Sequence, residues 1–213
     1  MIYDENDANE DVSVLSEPRK IQESVPSVQQ VRQKKELSSD TINMIRNSIA
    51  KNATDIEFAE FIYLCNKYDL DPMNKEIYFI KYGSKATIVT SRDGYLKIAQ
   101  GFPEYDGMES EVIYEGDVIT RRDNGSMKIE YGPEHLNFSK SKIKGAFANV
   151  YRKDRTVATS FTASFNDYVK KDSQMWQTYT NAMILKVAEA QALKKAFNIS
   201  GLVTKEEIGK DNE

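Results

Sequence analysis

The alternation of apolar and polar positions divides the chain into readable pieces. Residues 38–50 carry Ile42, Ile45 and Ile49 on one side, the spacing of a first helix. Thr54-Asp55-Ile56-Glu57 is a capping box that opens a second helix, with Phe58, Phe61, Ile62, Leu64, Cys65 and Tyr68 on a wide apolar face. Leu70-Asp71-Pro72 stops it, because proline cannot continue a helix and restricts the residue before it. Residues 76–82 and 86–90 read as strands joined at Gly83-Ser84. Ser91-Arg92-Asp93-Gly94 leads into a helix over 95–100, stopped by Gly101 and Pro103. Residues 110–114, 118–121 and 127–131 are strand-like, with a turn at Asp123-Asn124-Gly125.

The stretch 140–197 organises the rest. It opens on Lys140, Lys142 and Lys144, continues as a hairpin of 145–151 and 157–165 turned by Arg152-Lys153-Asp154-Arg155, and closes with a long helix over 173–197. In the second strand, Val157, Thr159, Phe161, Ala163 and Phe165 share one face and Ala158, Ser160, Thr162 and Ser164 the other, the pattern of a half-buried strand. Along the helix, Trp176, Tyr179, Met183, Val187, Ala190, Leu193 and Phe197 form one apolar stripe, and Lys186 and Lys194 fall inside it, each about 40° from its centre. The opposite face holds Ile184, Leu185, Ala188, Ala192 and Ala196, so the helix is expected to be covered on several sides. Each lysine there either snorkels to the edge of the core or meets an anion. Basic residues in all three pieces suggest a surface for a phosphate backbone. The predicted class is α+β: small antiparallel sheets and hairpins packed with helices, an N-terminal helical pair and a long C-terminal helix.

Composition narrows the choice. The chain has 213 residues, 40% hydrophobic and 29% charged, and no apolar run approaches the roughly 20 residues of a membrane helix. Three parts are expected: an acidic, disordered leader over 1–37, one core domain over 38–204 and a short polar tail over 205–213. The N-terminus has no signal-peptide h-region, and a lone cysteine, Cys65, excludes a disulfide framework. A reducing cytoplasm is the expected location. The net charge of −4 is concentrated at the front: residues 1–24 hold seven acids against Arg19 and Lys20, which leaves the remainder close to +1. A near-neutral body with clustered bases can still present a positive groove.

Catalytic signatures are missing. Gly83-Ser84-Lys85 lacks the upstream glycine of a phosphate-binding loop and the hydroxyl residue after the lysine. His135, the one histidine, is placed in a loop, which argues against a histidine metal cluster or triad, and Cys65 reads as core. Asp93, Glu109, Glu111 and Asp167 are acids that could hold magnesium, but their spacing forms no recognisable set, and solvated surface or helix caps explain them better. The pattern is that of a binder, not an enzyme, with no cofactor required and an effect of magnesium on binding left open.

Several short matches carry a family resemblance. They are Leu70-Asp71-Pro72 with Lys75-Glu76-Ile77-Tyr78, then Asp93-Gly94-Tyr95 with Lys97-Ile98, and Asp106-Gly107-Met108. Tyr151-Arg152-Lys153-Asp154-Arg155 and Trp176 with 183–197 complete the series in family order, over about 55–208. On these the chain resembles the Bet/RecT family of phage single-strand annealing recombinases. The resemblance implies an α+β core whose protomers stack into rings or helical filaments. Single-stranded DNA would lie in a continuous positive groove and a complementary strand would anneal on it without nucleotide hydrolysis. Lysine and arginine on the backbone leave the bases available for pairing.

Position by position, the resemblance implies backbone contacts at Lys75, Lys97, Lys153 and Lys194, with Lys170 and Lys171 where members also place a base after the hairpin. Lys186 sits one position before a lysine of one phage member, where this chain has Val187. The basic pattern itself adds Lys85, Arg92, Lys144, Arg152 and Arg155. Trp176 and Tyr95 are aromatic enough to stack on bases, but a core role is favoured for both. The apolar positions of 58–68 are expected to serve self-association. Two features depart from that member: 109–144 inserts extra strand-like sequence, and little chain follows Glu207. Longer members use a C-terminal extension to contact an exonuclease and host single-strand-binding protein, and these are the further partners the resemblance suggests. The rival readings are a single-strand-binding protein that does not anneal and a structural phage component with a merely solvated basic face.

Overall fold

The structure, a computed structural model, describes residues 37–208; the leader expected over 1–37, apart from Leu37, and residues 209–213 lie outside the described part. It is α+β. Helices α1 (Ser39–Ser48) and α2 (Asp55–Tyr68) are capped by Ser38 and Thr54, and Thr54 with Glu57 forms the full reciprocal capping box. α2 ends at Asp69 in the left-handed conformation, φ 53°, before the proline acts. The face of α2 is largely covered: Phe61, Leu64 and Cys65 are buried, and Phe58, Ile62 and Tyr68 pack against the core. The apolar surface expected on 58–68 for self-association is therefore mostly spent on the fold, with Tyr63 the large apolar residue left exposed.

Strands β1 (Ile77–Tyr82) and β2 (Lys85–Thr90) form an antiparallel hairpin with Ile77 opposite Thr90. Helix α3 (Arg92–Gln100) starts three residues earlier than the sequence pattern suggests, because the Ser91 hydroxyl accepts from the Gly94 amide at 3.0 Å and caps it there. Gly94 is required by proximity: a Cβ at this position would lie 2.3 Å from the Glu76 carbonyl oxygen.

The main sheet is three-stranded and antiparallel, in the order β3 (Tyr105–Tyr114), β6 (Ile143–Arg152), β7 (Thr159–Ser164). β3 begins well before residue 110, and irregularities between Tyr105 and Met108 and between Ile113 and Tyr114 shift its register. β7 stops at Ser164 because Phe165 opens the short helix α5 (Phe165–Tyr168). Between β3 and β6, the inserted segment folds as a hairpin, β4 (Val118–Arg121) and β5 (Met127–Glu130), followed by the short helix α4 (Pro133–Leu136). His135 is on α4 and buried, not in an open loop. Its Nδ1 lies 2.8 Å from Asp117 Oδ2, and its ring stacks on Tyr131 at 3.9 Å and meets Tyr114 edge-on at 4.8 Å.

The long helix expected over 173–197 is two helices, α6 (Gln174–Thr178) and α7 (Thr180–Ala196). Tyr179 leaves the helical region at φ −117°, ψ 43°, and the Thr180 hydroxyl donates back to the Trp176 carbonyl at 2.8 Å. The break turns Tyr179 out to solvent and removes it from the apolar stripe. The stripe and the opposite face of α7 are both covered. Val187, Ala190 and Leu193 are buried on one side and Ile184, Ala188, Ala192 and Ala196 on the other. α7 packs on β3, β6 and β7 and against α3, and its alanines permit that close approach on several sides.

Candidate nucleic-acid interface

The chain leaves a cleft of about 440 Å³ where the β1–β2 hairpin, the start of α3, α6, α7 and a short 3-10 turn (Lys205–Glu207) meet. Arg92, Lys170, Lys186 and Lys205 bring positive charge to it from four separate segments. The N-terminus of α3, presented through Ser91, Arg92 and Asp93, adds the positive end of a helix dipole. The floor is apolar, built by Ile80, Val89, Trp176 and Ala190, with Met175 and Met183 beside it. Tyr78 is the accessible aromatic of the wall. Burial pushes its hydroxyl pKa up, and the Asp93 carboxylate adds to the shift. Trp176 and Tyr95 are buried core residues, 3% and 0% exposed.

Twelve basic residues stood out in the sequence. The structure brings three of them, Arg92, Lys170 and Lys186, into this cleft. Lys186 is exposed at its edge and makes no ion pair among the described residues. Arg92 carries neighbours: its Nε lies 3.1 Å from Glu189 Oε2 and its Nη1 3.2 Å from Asp93. The Glu189 contact is ionic rather than an aligned hydrogen bond, since Nε has no partner in bonding geometry. Glu189 also accepts from the Ser110 hydroxyl at 2.6 Å, which ties the cleft to β3.

The other nine lie elsewhere. Lys97 donates to Glu76 at 2.8 Å and lines a different cavity with Asp69 and Asp71, whose acids make that space unsuited to phosphate. Lys144 sits 3.7 Å from Glu115, which Lys142 also holds at 2.9 Å, while Lys140 donates to the Thr178 carbonyl at the end of α6. Arg152 pairs with Asp154 at 2.7 Å, donates to the Ala196 carbonyl at 3.0 Å and stacks over Phe197. These contacts cap the C-terminus of α7, a structural task. Lys194 is held by Glu207 at 2.8 and 3.1 Å. Lys153 and Arg155 are exposed on the β6–β7 turn, Lys171 is exposed after α5, and Lys75 is exposed in a turn at φ 61°. Lys85 is exposed at the start of β2.

Two lining residues, Tyr78 and Lys205, escaped the sequence reading. Lys205 had a signal: Thr204-Lys205-Glu206-Glu207 repeats the capping-box spacing seen at Thr54–Glu57, and the Thr204 amide does donate to Glu207 Oε2 at 2.7 Å. Tyr78 had none, since strand alternation does not say which face lines a cleft. Among the described residues, no group of acids, histidines or cysteines is arranged to hold a metal ion, and no helix is long and apolar enough to cross a membrane.

The chain is 23% identical over 179 residues to "Recombination protein bet" of Escherichia phage lambda, covering 79% of this chain and 58% of that protein. It thus spans somewhat over half the length of that relative. A family model described as "RecT family" matches residues 35–213, so the chain belongs to the RecT family.

Proposed function

We propose that this protein is a phage recombination protein that binds single-stranded DNA and promotes annealing of complementary strands without nucleotide hydrolysis. One observation carries the reading: the cleft that gathers Arg92, Lys170, Lys186 and Lys205 over an apolar floor, with Tyr78 accessible on its wall. Such a surface suits a phosphate backbone in any sequence, with an aromatic face offered to a base. Backbone contacts position the strand and leave base edges unread, as annealing of arbitrary sequences requires. Membership of the RecT family and the name of the lambda relative support the same reading. Homo-oligomerisation, as ring or filament, belongs to the proposal on the same family grounds. So do a complementary DNA strand as partner, the core domain over 38–204 and residence in the host cytoplasm.

The test mixes purified protein with two complementary oligonucleotides, no nucleotide present, and follows duplex formation. Pairing well above the protein-free rate is expected. Tight single-strand binding with no gain in pairing would move the protein to the class of non-annealing single-strand binders. Light scattering with and without DNA reads the oligomer, and monomers in both conditions would refute the assembly.

A further inference from the structure

We infer that Glu206 is a built-in competitor for the cleft, an acidic side chain that the protein sets among its own phosphate-binding cations; this rests on the cleft holding a DNA backbone. The 3-10 turn that carries Glu206 is anchored on both flanks. Leu202 is buried, Val203 forms a parallel bridge with Val89, and its carbonyl accepts from the Thr90 amide at 2.8 Å. On the other flank, Glu207 accepts from the Thr204 amide and from Lys194, at 2.7 and 2.8 Å.

The two neighbouring carboxylates therefore have different tasks. Glu207 is spent on anchoring the turn. Glu206 makes no ion pair among the described residues and lines the cleft beside Arg92, Lys170 and Lys186. An incoming phosphate meets this fixed negative charge at close range, in a concave site where field lines are concentrated. Binding must overcome the repulsion or shift the turn, so the carboxylate weakens every backbone contact about equally and speeds release. A protein that must hand its strand to a partner gains from such a limit on affinity.

The experiment measures binding of a fluorescently labelled oligo-thymidine by anisotropy across a series of salt concentrations, with melting curves to confirm folding. Four proteins are compared: the parent chain, Glu206→Gln, Lys186→Ala, and Asp123→Asn as a control for net charge on an exposed turn remote in sequence from the cleft. Glu206→Gln is expected to bind about 3- to 10-fold tighter at low salt, with the gain shrinking as salt rises, because screening removes the repulsion. Asp123→Asn is expected to match the parent. Equal affinities for parent and Glu206→Gln overturn the inference, as does an equal gain in Asp123→Asn, which would mark a general charge effect. A parent that binds, with Lys186→Ala binding identically, places the DNA outside this cleft and removes the inference with it. A parent that does not bind at all overturns the proposed function itself, a separate and recognisable outcome.

Discussion

Asn149 in β6 holds Met127 in β5 by both ends of its amide: Oδ1 accepts from the Met127 amide at 2.8 Å and Nδ2 donates to the Met127 carbonyl at 2.9 Å. The side chain takes the place of a neighbouring strand and fastens the inserted hairpin to the main sheet. Asn149 is fully buried, and the Ser160 hydroxyl and Glu109 complete its partners at 2.7 and 2.8 Å. Asn149→Ala strands these groups in a buried site. It is expected to cost about 2–3 kcal/mol in urea unfolding, and to raise hydrogen exchange at the Met127 amide first. Unchanged exchange there would show that the hairpin is held by other contacts.

Lys186 and Arg152 looked alike in the sequence and should behave differently. Lys186→Ala is expected to weaken binding to all single-strand sequences alike and to lower the salt slope by roughly 0.7, one phosphate contact. Melting temperature should stay the same, because the side chain is exposed and unpaired among the described residues. Arg152→Ala removes the cap on Ala196 and the stack on Phe197. A loss of roughly 1–3 kcal/mol of stability with an intact salt slope is the expected result. The reverse outcome, slope lost in Arg152→Ala and kept in Lys186→Ala, would relocate the interface to the β6–β7 turn.

The α2 capping box makes stability depend on pH. Hydrogen bonds from Lys81, at 2.7 and 3.0 Å, and then from the Thr54 amide hold the Glu57 carboxyl below the usual carboxylate range. A depressed folded-state value means that the stabilisation is present above the ordinary carboxylate pKa and lost as pH falls through the depressed one. Parent and Glu57→Gln are therefore expected to differ in melting temperature at neutral pH and to converge in acid. A gap that persists at the acid end would assign the effect to packing rather than charge.

Cys65 is 2% exposed, and burial pushes its thiol up to about 12, with Asp71 adding to the shift. Native protein at neutral pH should react with a thiol-specific reagent only as fast as it opens, and quickly once unfolded in urea. Stoichiometric labelling within seconds under native conditions would contradict the core position.

Sequence alone determined the local pieces. Thr54–Glu57, Gly83-Ser84, Ser91 and the apolar spacings set helix starts, turns and strands through contacts within a few residues, and these are encoded locally. The break at Tyr179 was not legible, because the apolar stripe runs through it and only the chain's return onto the sheet turns that residue outward. The proposed interface was legible as a composition, a surplus of bases over the later part of the chain, but not as a place. Lys97, Lys144, Arg152 and Lys194 met carboxylates outside the cleft, whereas Lys170, Lys186 and Arg92, the last itself 3.1 Å from Glu189, converged on it. Whether a lysine is neutralised or presented depends on which acid the fold brings within about 4 Å, and that is a property of long-range packing, not of neighbouring residues.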